Sequence, residues 1–278
     1  PHTNITDKMD YKKVILITGA SSGFGKVMAT TLSRQGHIVY GTSRKATDKQ
    51  GKINMLAMDV TQPESILRTI NTIISEQGRI DVLINNAGMG ISGATELATE
   101  EEIKLQMDTN YLGVVRMCSA VLPHMRKERN GKIINISSLG GVIAVPFQGF
   151  YCASKFAIEG YSEALAQEVR SFNIKICLVE PGDFNTNFTA NRAVSHITIQ
   201  DKDYKEKFER TMKIIEKAER QGCNPEKLGR VISKLVKSKY PPFRTKVGPF
   251  EQIMFAKCLG ILPNRLTQYL LHCFYKVY

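Results

Sequence analysis

The chain has 278 residues, of which 42% are hydrophobic and 23% charged, and its formal net charge is +12. This composition excludes an intrinsically disordered chain, because there is enough apolar surface for a core. The six cysteines are scattered, without Cys-x-x-Cys or metal-ligand spacing, so we expect reduced thiols, no metal site and a cytoplasmic protein. No run of eighteen apolar residues predicts a membrane-spanning helix.

The first 25 residues predict an extension followed by a phosphate-binding unit. Residues 1–8 are polar, and we expect them to be an N-terminal extension or an expression remnant, with residues 9–278 forming one domain. The run Lys13-Val-Ile-Leu-Ile-Thr18 is typical of a strand buried on both faces of a parallel sheet. A glycine-rich turn and a helical pattern follow. Strand, turn and helix N-terminus in this order form a cradle for a pyrophosphate, whereas a glycine turn alone also suits an ordinary loop. The residues of this predicted cradle are Gly19, Ser21, Ser22, Gly23, Phe24 and Gly25.

The remaining elements alternate between strand and helix. Further strands are predicted at 38–42, 53–58, 81–85, 131–137, 174–180 and, briefly, 245–247. Helices are predicted at 24–35, 63–77, 101–128, 151–171, 202–220, 225–238 and 264–276. Such alternation predicts an α/β fold with a single doubly wound, Rossmann-type parallel sheet of about seven strands and helices on both faces. Ligands of such sheets bind at the carboxyl ends of the strands.

The residues after the second strand predict the cofactor. An NAD enzyme normally places a carboxylate here to accept a hydrogen bond from the ribose 2′-hydroxyl. This chain has Ser43 and Arg44 instead. A hydroxyl and a guanidinium can bind a 2′-phosphate, although a solvated basic turn is a common alternative. The missing acid favours NADP(H).

A tyrosine and a lysine four residues apart predict the chemistry. Tyr151 and Lys155 share one face of a predicted helix, and Ser138 precedes them by thirteen residues. A neighbouring ammonium should lower the pKa of the phenol, as a general acid or base near neutral pH requires. A solvated surface pair is the alternative for these two residues taken alone.

Seven motifs together resemble one family. They are Thr18-Gly-Ala-Ser-Ser-Gly-Phe-Gly25, Asp59-Val60, Asn85-Asn-Ala-Gly88, Asn110, Ser138, Tyr151-x-x-x-Lys155, and Pro181-Gly182 with Thr186. In their order and spacing they resemble the short-chain dehydrogenases/reductases over roughly residues 12–190. The remaining C-terminal third matches far less specifically.

This resemblance implies a role for each catalytic residue. Tyr151 would be the acid or base, Ser138 would hold the reacting oxygen, and Lys155 would also bind the nicotinamide ribose. Asn110 would bind a water that connects Lys155 to solvent, although by itself it suits a structural side chain. A homodimer or homotetramer, built through helices 101–128 and 151–171, is also implied.

The resemblance assigns further cofactor contacts. Asp59 and Val60 would flank the adenine, although an aspartate at a strand end is often a helix cap. Pro181 and Gly182 would turn the chain over the nicotinamide, and Thr186 would bind its carboxamide. The residues implied to line the cofactor after the fourth strand are Asn85, Ala87 and Gly88.

The substrate is predicted less sharply. Residues 183–225 would form a lid, and its apolar members are Phe184, Phe188, Ile197, Ile199, Tyr204 and Phe208. An apolar wall would come from Val142, Val145, Phe147 and Phe150. Such a pocket suits a hydrophobic alcohol or ketone, such as a steroid, retinoid or fatty-acyl compound. Equally, these side chains could simply pack the lid onto the core.

The C-terminal region, residues 226–278, is basic. From residue 227 onward there are ten Lys or Arg and one acid, Glu251, which contributes +9 of the total charge of +12. An apolar stripe in the last predicted helix, with basic neighbours, could give weak peripheral contact with a membrane. Packing on the domain or on a partner subunit is the more common use of such a helix. No motif supports nucleic-acid binding.

Two functions are compatible with these residues. The first is an NADP(H)-dependent oxidoreductase that interconverts a carbonyl and an alcohol, in the reductase direction. The second is a non-catalytic nucleotide-binding protein that acts as a redox sensor or scaffold. The intact set of Ser138, Tyr151 and Lys155 favours the enzyme, because a pure binder does not need it.

Overall fold

The computed structural model describes residues 12–45, 51–258 and 262–278, so the expected extension at residues 1–8 lies outside the described residues. The strands are β1 Val14–Ile17, β2 Ile38–Ser43, β3 Ile53–Ala57, β4 Val82–Asn85, β5 Ile91–Ser92, β6 Gly131–Ile136, β7 Ile174–Pro181, β8 Ala193–Val194 and β9 Arg244–Val247. Seven of them form one parallel sheet in the order β3-β2-β1-β4-β6-β7-β9. The predicted doubly wound parallel sheet is therefore confirmed. β5 and β8 pair separately, also in parallel.

Helices cover both faces of this sheet. They are α1 Gly23–Arg34, α2 Pro63–Gln77, α3 Glu100–Met107, α4 Gly113–Glu128, α5 Gly149–Glu168, α6 Phe188–Asn191, α7 His196–Gln200, α8 Lys205–Arg220, α9 Glu226–Lys237, α10 Phe250–Cys258 and α11 Asn264–Tyr275. One core layer joins the sheet to α2, α4 and α5, and the other joins it to α1 and α9. Alternate residues of β1 enter opposite layers, Leu16 the first and Ile17 the second. This explains why that strand is apolar throughout.

A third, smaller core lies outside the sheet layers. Phe147 packs there against Phe208, with ring centroids 5.4 Å apart, and against Tyr204 at 6.3 Å. Met212 and Ile215 of α8 complete this cluster. It attaches the predicted lid to the loop that precedes α5.

The predicted helix 101–128 is interrupted. α3 begins with a capping box in which Thr99 and Glu102 exchange hydrogen bonds. A π-helical turn, Asp108–Leu112, then separates α3 from α4. Such a turn inserts an extra residue, and here it lies where Asn110 is turned inward and buried. The predicted helix 101–128 has no break in its apolar pattern that would indicate this turn.

Several short elements are absent from the prediction. α6, α7 and β8 lie in the predicted lid, and α10 follows β9. Each is short, and short elements carry too few residues for a clear periodicity. Across the described ranges, no helix is both long and apolar enough to cross a bilayer.

Candidate active site

A cleft of about 1310 Å³ opens at the carboxyl ends of the sheet strands. Its lining includes the glycine-rich turn after β1, the ends of β2, β3, β4 and β6, and the start of the predicted lid. Helices α10 and α11 also contribute side chains to its lining. The cleft therefore lies at the edge where a doubly wound sheet binds its ligands.

Four hydrogen bonds join the turn after β1 to the residues that follow β4. The hydroxyl oxygen of Thr18 accepts hydrogen bonds from the backbone N–H groups of Asn86 and Ala87, both at 2.9 Å. The Asn86 amide donates in return to the carbonyl oxygens of Thr18, at 2.9 Å, and Gly19, at 3.1 Å. These hydrogen bonds fix the position of the turn. No role for Asn86 was predicted from the sequence.

The glycines of this turn permit a close backbone approach. Gly19 has φ of +68°, and a Cβ there would lie 3.0 Å from the Cα of Ala87. A Cβ on Gly25 would lie 2.1 Å from the carbonyl oxygen of Gly19, so only glycine fits. Ser22 precedes α1, and its hydroxyl does not cap the helix. The first amides of α1 are therefore left for an anion, and the turn fits the pyrophosphate of a dinucleotide.

Residues expected at the adenine end line the same cleft. They are Ser43, Arg44, Asp59 and Val60. Arg44 is exposed at the cleft edge. Asp59 also has a structural task, because its Oδ1 accepts hydrogen bonds from the N–H of Thr61 at 2.9 Å and the Thr61 hydroxyl at 2.8 Å. One carboxylate oxygen is thus committed to the turn before α2.

Ser138 and Tyr151 meet at the centre of the cleft. Ser138 follows β6, and its Oγ accepts a hydrogen bond from the N–H of Gly140 at 3.0 Å. Tyr151 lies in the first turn of α5. A hydrogen bond from the Ser138 side chain acts to lower the pKa of Tyr151. Both hydroxyls can therefore reach one substrate oxygen.

Lys155 lies one turn further along α5 and is buried. Its Nζ donates a hydrogen bond of 2.9 Å to the carbonyl oxygen of Ile136 and lies 5.8 Å from the centre of the Tyr151 ring. Burial lowers its pKa to about 8, and Glu159 partly opposes this effect. The pair is thus part of the cleft, not a solvated surface pair.

The expected lowering of the tyrosine pKa is wrong for this structure. Burial raises the pKa of Tyr151 to about 12, and this effect exceeds the opposing hydrogen bond from Ser138. Desolvation penalises the phenolate more than the surrounding positive charge favours it. The protonated phenol is therefore strongly favoured, which suits a proton donor.

Asn110 is held by a buried network. Its Oδ1 accepts from the N–H of Met89 at 2.9 Å, and its Nδ2 donates to the carbonyl of Met89 at 3.0 Å. The same Nδ2 donates to the Ser154 hydroxyl at 3.1 Å, and Ser154 donates to the carbonyl of Tyr151 at 2.7 Å. Asn110 is thus connected to α5 through Ser154. The water that the resemblance implies stays a prediction.

The remaining predicted cofactor contacts divide into two groups. The lining of the cleft includes Ala87, Gly88, Pro181, Gly182 and Thr186. Asn85 lies outside it, since its amide donates to Asn135 Oδ1 at 2.9 Å within the core. Gly25 also lies behind the lining, where its lack of a side chain permits the turn. These two residues would therefore act through packing, not through a side chain in the cleft.

The apolar residues predicted for the substrate pocket are only partly correct. Phe184, Phe188 and Val145 line the cleft. Phe147, Tyr204 and Phe208 instead form the third core, and Ile197 is exposed. A single apolar stretch cannot distinguish a pocket wall from lid packing, because both need the same side chains.

A charged cluster beside the tyrosine was not predicted from the sequence. Glu219 of α8 and Asp183 both line the cleft. The buried Arg192 side chain pairs with Glu219, whose other oxygen accepts from the Thr189 hydroxyl at 2.7 Å. Arg192 and Glu219 are close enough to Tyr151 for their charges to affect its pKa. These residues are distant in sequence, so only the fold brings them together.

Comparison with known proteins agrees with this geometry. A family model described as short chain dehydrogenase matches residues 13–195. The chain is 64% identical over 265 residues to a 3-ketodihydrosphingosine reductase of Bacteroides thetaiotaomicron, covering 95% of this chain and 98% of that protein. The chain belongs to the short-chain dehydrogenase/reductase family. It is therefore an oxidoreductase.

Two further relatives support this placement. Retinol dehydrogenase 8 of Bos taurus is 35% identical over 259 residues, covering 85% of this short-chain dehydrogenase/reductase and 82% of the relative. The crystal structure of a short-chain dehydrogenase from Streptomyces avermitilis superposes with a TM-score of 0.82 at 32% identity. That match covers 93% of this chain and 97% of the other.

Proposed function

We propose that this oxidoreductase uses NADPH to reduce the ketone of 3-ketodihydrosphingosine, or of a similar long-chain amino ketone, to a secondary alcohol. The observation that carries the proposal is the 64% identity to the Bacteroides thetaiotaomicron reductase over almost the whole of both chains. This substrate is narrower than the steroid, retinoid or acyl compounds that the sequence suggested.

The side chains in the cleft supply the acid chemistry. Bound NADPH would provide a hydride for the carbonyl carbon. Tyr151 would donate its hydroxyl proton to the carbonyl oxygen, and its raised pKa of about 12 keeps that proton available. Ser138 would hold the same oxygen. The buried ammonium of Lys155 would stabilise the phenolate that remains.

The preference for NADPH rests on the end of β2. Ser43 and Arg44 line the cleft where a carboxylate would select NADH. A guanidinium can form charge-assisted hydrogen bonds with a 2′-phosphate, and Arg44 is exposed and accessible. NADPH is therefore the proposed donor.

The charged cluster suits the polar end of an amino ketone. In 3-ketodihydrosphingosine the carbon next to the ketone carries an ammonium group, so that group must lie near Tyr151. Burial raises the pKa of Asp183, and the negative charge of Glu219 adds to this effect. Because Arg192 pairs with Glu219, the cluster of two carboxylates and one guanidinium keeps one negative charge that a substrate ammonium would balance. We assign Asp183 to the ammonium, since Arg192 and Thr189 already occupy the two carboxylate oxygens of Glu219.

An apolar wall of the cleft suits a hydrocarbon chain. Ile214, Phe255, Leu270 and Phe274 line it, all from α8, α10 or α11. The cleft thus combines charged groups beside the tyrosine with apolar side chains from α8, α10 and α11. This division matches an amphiphile better than a compact polar substrate.

The proposal is tested by NADPH oxidation with a panel of ketones. 3-Ketodihydrosphingosine should be reduced with a higher kcat/KM than the same ketone without its amino group, and higher than a retinal or a steroid ketone. Preference for retinal would support the retinoid assignment instead. NADPH binding without turnover of any ketone would favour the non-catalytic sensor or scaffold.

A further inference from the structure

Helix α11 presents its apolar side to solvent. Leu266, Tyr269, Leu270 and Phe274 are 43%, 64%, 40% and 60% exposed. Leu266, Leu270 and Phe274 follow one another at intervals of four, and Tyr269 lies three residues after Leu266, so all four lie on one side of the helix. The polar Thr267, by contrast, is buried. The inward side of α11 also carries Leu271 and Tyr275, and Tyr275 packs against the third core, so the helix has apolar side chains on its inner and outer sides. A helix that only packed on its own domain would have a polar outer side. We call these four exposed residues the outer face of α11.

The outer face is continuous with the mouth of the cleft. Leu270 and Phe274 are exposed and also belong to the cleft lining. Helix α10 repeats this arrangement, because Phe250 and Met254 are 72% and 40% exposed while Phe255 lines the cleft. An exposed apolar surface of this kind marks an interaction site. A partner that covers this surface therefore also lies over the entrance to the active site.

The charge around this surface is positive. Lys257 on α10 and Arg265 on α11 are exposed, as is Lys276 directly after α11. Glu251 is the one acid in the sequence from residue 227 to the C-terminus. A symmetric contact with a second copy would bring these cations together and cover the cleft entrance. An anionic lipid surface would pair with the cations and accept the apolar side chains.

We propose that the outer face of α11, together with the exposed apolar side of α10, docks on an anionic lipid bilayer. The long-chain substrate then enters the cleft from the bilayer between these helices. The docking surface stands on exposure and charge, and only the entry of substrate rests on the proposed function.

Docking is tested by co-sedimentation of the full chain with phosphatidylcholine vesicles, with and without phosphatidylglycerol. The wild type should bind the anionic vesicles, and Leu266→Ser with Tyr269→Ser should weaken binding by roughly tenfold or more. The matched control is Leu67→Ser with Tyr240→Ser, since both side chains are exposed elsewhere, at 54% and 76%. This control should bind like the wild type.

A second pair of variants tests the charges. Lys257→Glu with Arg265→Glu should lose roughly tenfold or more in binding to anionic vesicles, and added salt should weaken the wild type similarly. Arg68→Glu with Lys127→Glu, exposed on α2 and α4, should have little effect. Equal vesicle binding by the two double variants, or no vesicle binding by the wild type, would overturn the docking surface. A wild-type dimer that Leu266→Ser with Tyr269→Ser converts to a monomer would overturn it in favour of a second copy.

Activity separates this inference from the proposed function. With a short-chain, water-soluble amino ketone, Leu266→Ser with Tyr269→Ser should retain the wild-type rate. With long-chain substrate embedded in anionic vesicles, its rate should fall in proportion to vesicle binding. Reduction of both substrates without vesicle binding refutes docking alone. Vesicle binding without reduction of either refutes the proposed function alone.

Discussion

The ammonium nitrogen of Lys155 lies 5.8 Å from the centre of the Tyr151 ring, inside the protein. The ammonium donates a hydrogen bond to the carbonyl oxygen of Ile136 at 2.9 Å. Burial dominates the environment of the phenol and raises the pKa of Tyr151 to about 12. The tyrosine therefore holds its proton until a reacting oxygen takes it, as a reductase requires.

Removing the tyrosine hydroxyl should abolish most of the activity. Tyr151→Phe should lower kcat by about 10²–10⁴-fold, the usual contribution of a positioned acid. NADPH binding, followed by fluorescence titration, should change little. Tyr240→Phe is the control, because Tyr240 is 76% exposed. A Tyr151→Phe enzyme with near wild-type kcat would show that another group donates the proton.

The pH dependence should reflect Lys155. The rate of ketone reduction should fall as pH rises through about 8, since the ammonium loses its proton there while Tyr151 remains protonated. Initial rates measured from roughly pH 6 to pH 10 would show this fall in rate, because the range spans the pKa of Lys155. A rate that stays constant to pH 10 would contradict the assignment.

The stability of the folded protein should rise with pH, whereas the reduction rate falls. The folded pKa of Lys155, about 8, lies below its ordinary value of 10.5, so the unfolded chain binds more protons between these values. The free energy of unfolding should therefore rise with pH in this window. Burial also lowers the pKa of Lys132 to about 8, so both lysines contribute. Lys155→Met should reduce the slope measured by urea unfolding, and an unchanged slope would count against burial of the charge.

Much of the fold and the central site was predictable from local patterns. β1 is apolar throughout because both its faces are buried, and Tyr151 and Lys155 share a helix face because they are four residues apart. The Asp183–Glu219 pair was not predictable, because residues 36 positions apart meet only through the fold of the lid. The π-helical turn at Asn110 likewise depends on its bonds to Met89, on a different segment.

Cofactor preference should change at two positions. Ser43→Asp with Arg44→Ala should lower kcat/KM for NADPH and raise it for NADH, because a carboxylate repels the 2′-phosphate and accepts from a ribose hydroxyl. Lys45→Gln, at the next exposed position, is the matched control. Equal use of NADH and NADPH by the unmodified protein would contradict the predicted role of Ser43 and Arg44.

The glycine turn should tolerate no side chain at Gly25. Gly25→Ala places a Cβ 2.1 Å from the carbonyl oxygen of Gly19, so it should cost about 1–3 kcal/mol of unfolding free energy and weaken NADPH binding. Gly160→Ala is the control, because nothing lies within 4 Å of its Cβ in the middle of α5. It should stabilise the protein by about 0.5–1 kcal/mol. Thermal unfolding compares the two, and equal effects would contradict the close approach.

Asp183 should favour binding of ketones that carry an amino group over ketones that do not. Asp183→Asn should raise KM for 3-ketodihydrosphingosine by about tenfold or more, since hydrogen bonds to a charged group contribute about 1.5–3 kcal/mol. KM for the same ketone without its amino group should stay unchanged. A similar rise for both ketones would show that Asp183 only supports the cleft, through Gln252, whose Nε2 donates to Asp183 Oδ2 at 2.5 Å.

NADPH oxidation in the presence of 3-ketodihydrosphingosine, measured by absorbance with product analysis, is the most direct test of the proposed reaction. The wild type should form one secondary alcohol per NADPH consumed, and Tyr151→Phe should form almost none. NADPH consumption without this alcohol, or equal product from both proteins, would contradict reduction by proton donation from Tyr151.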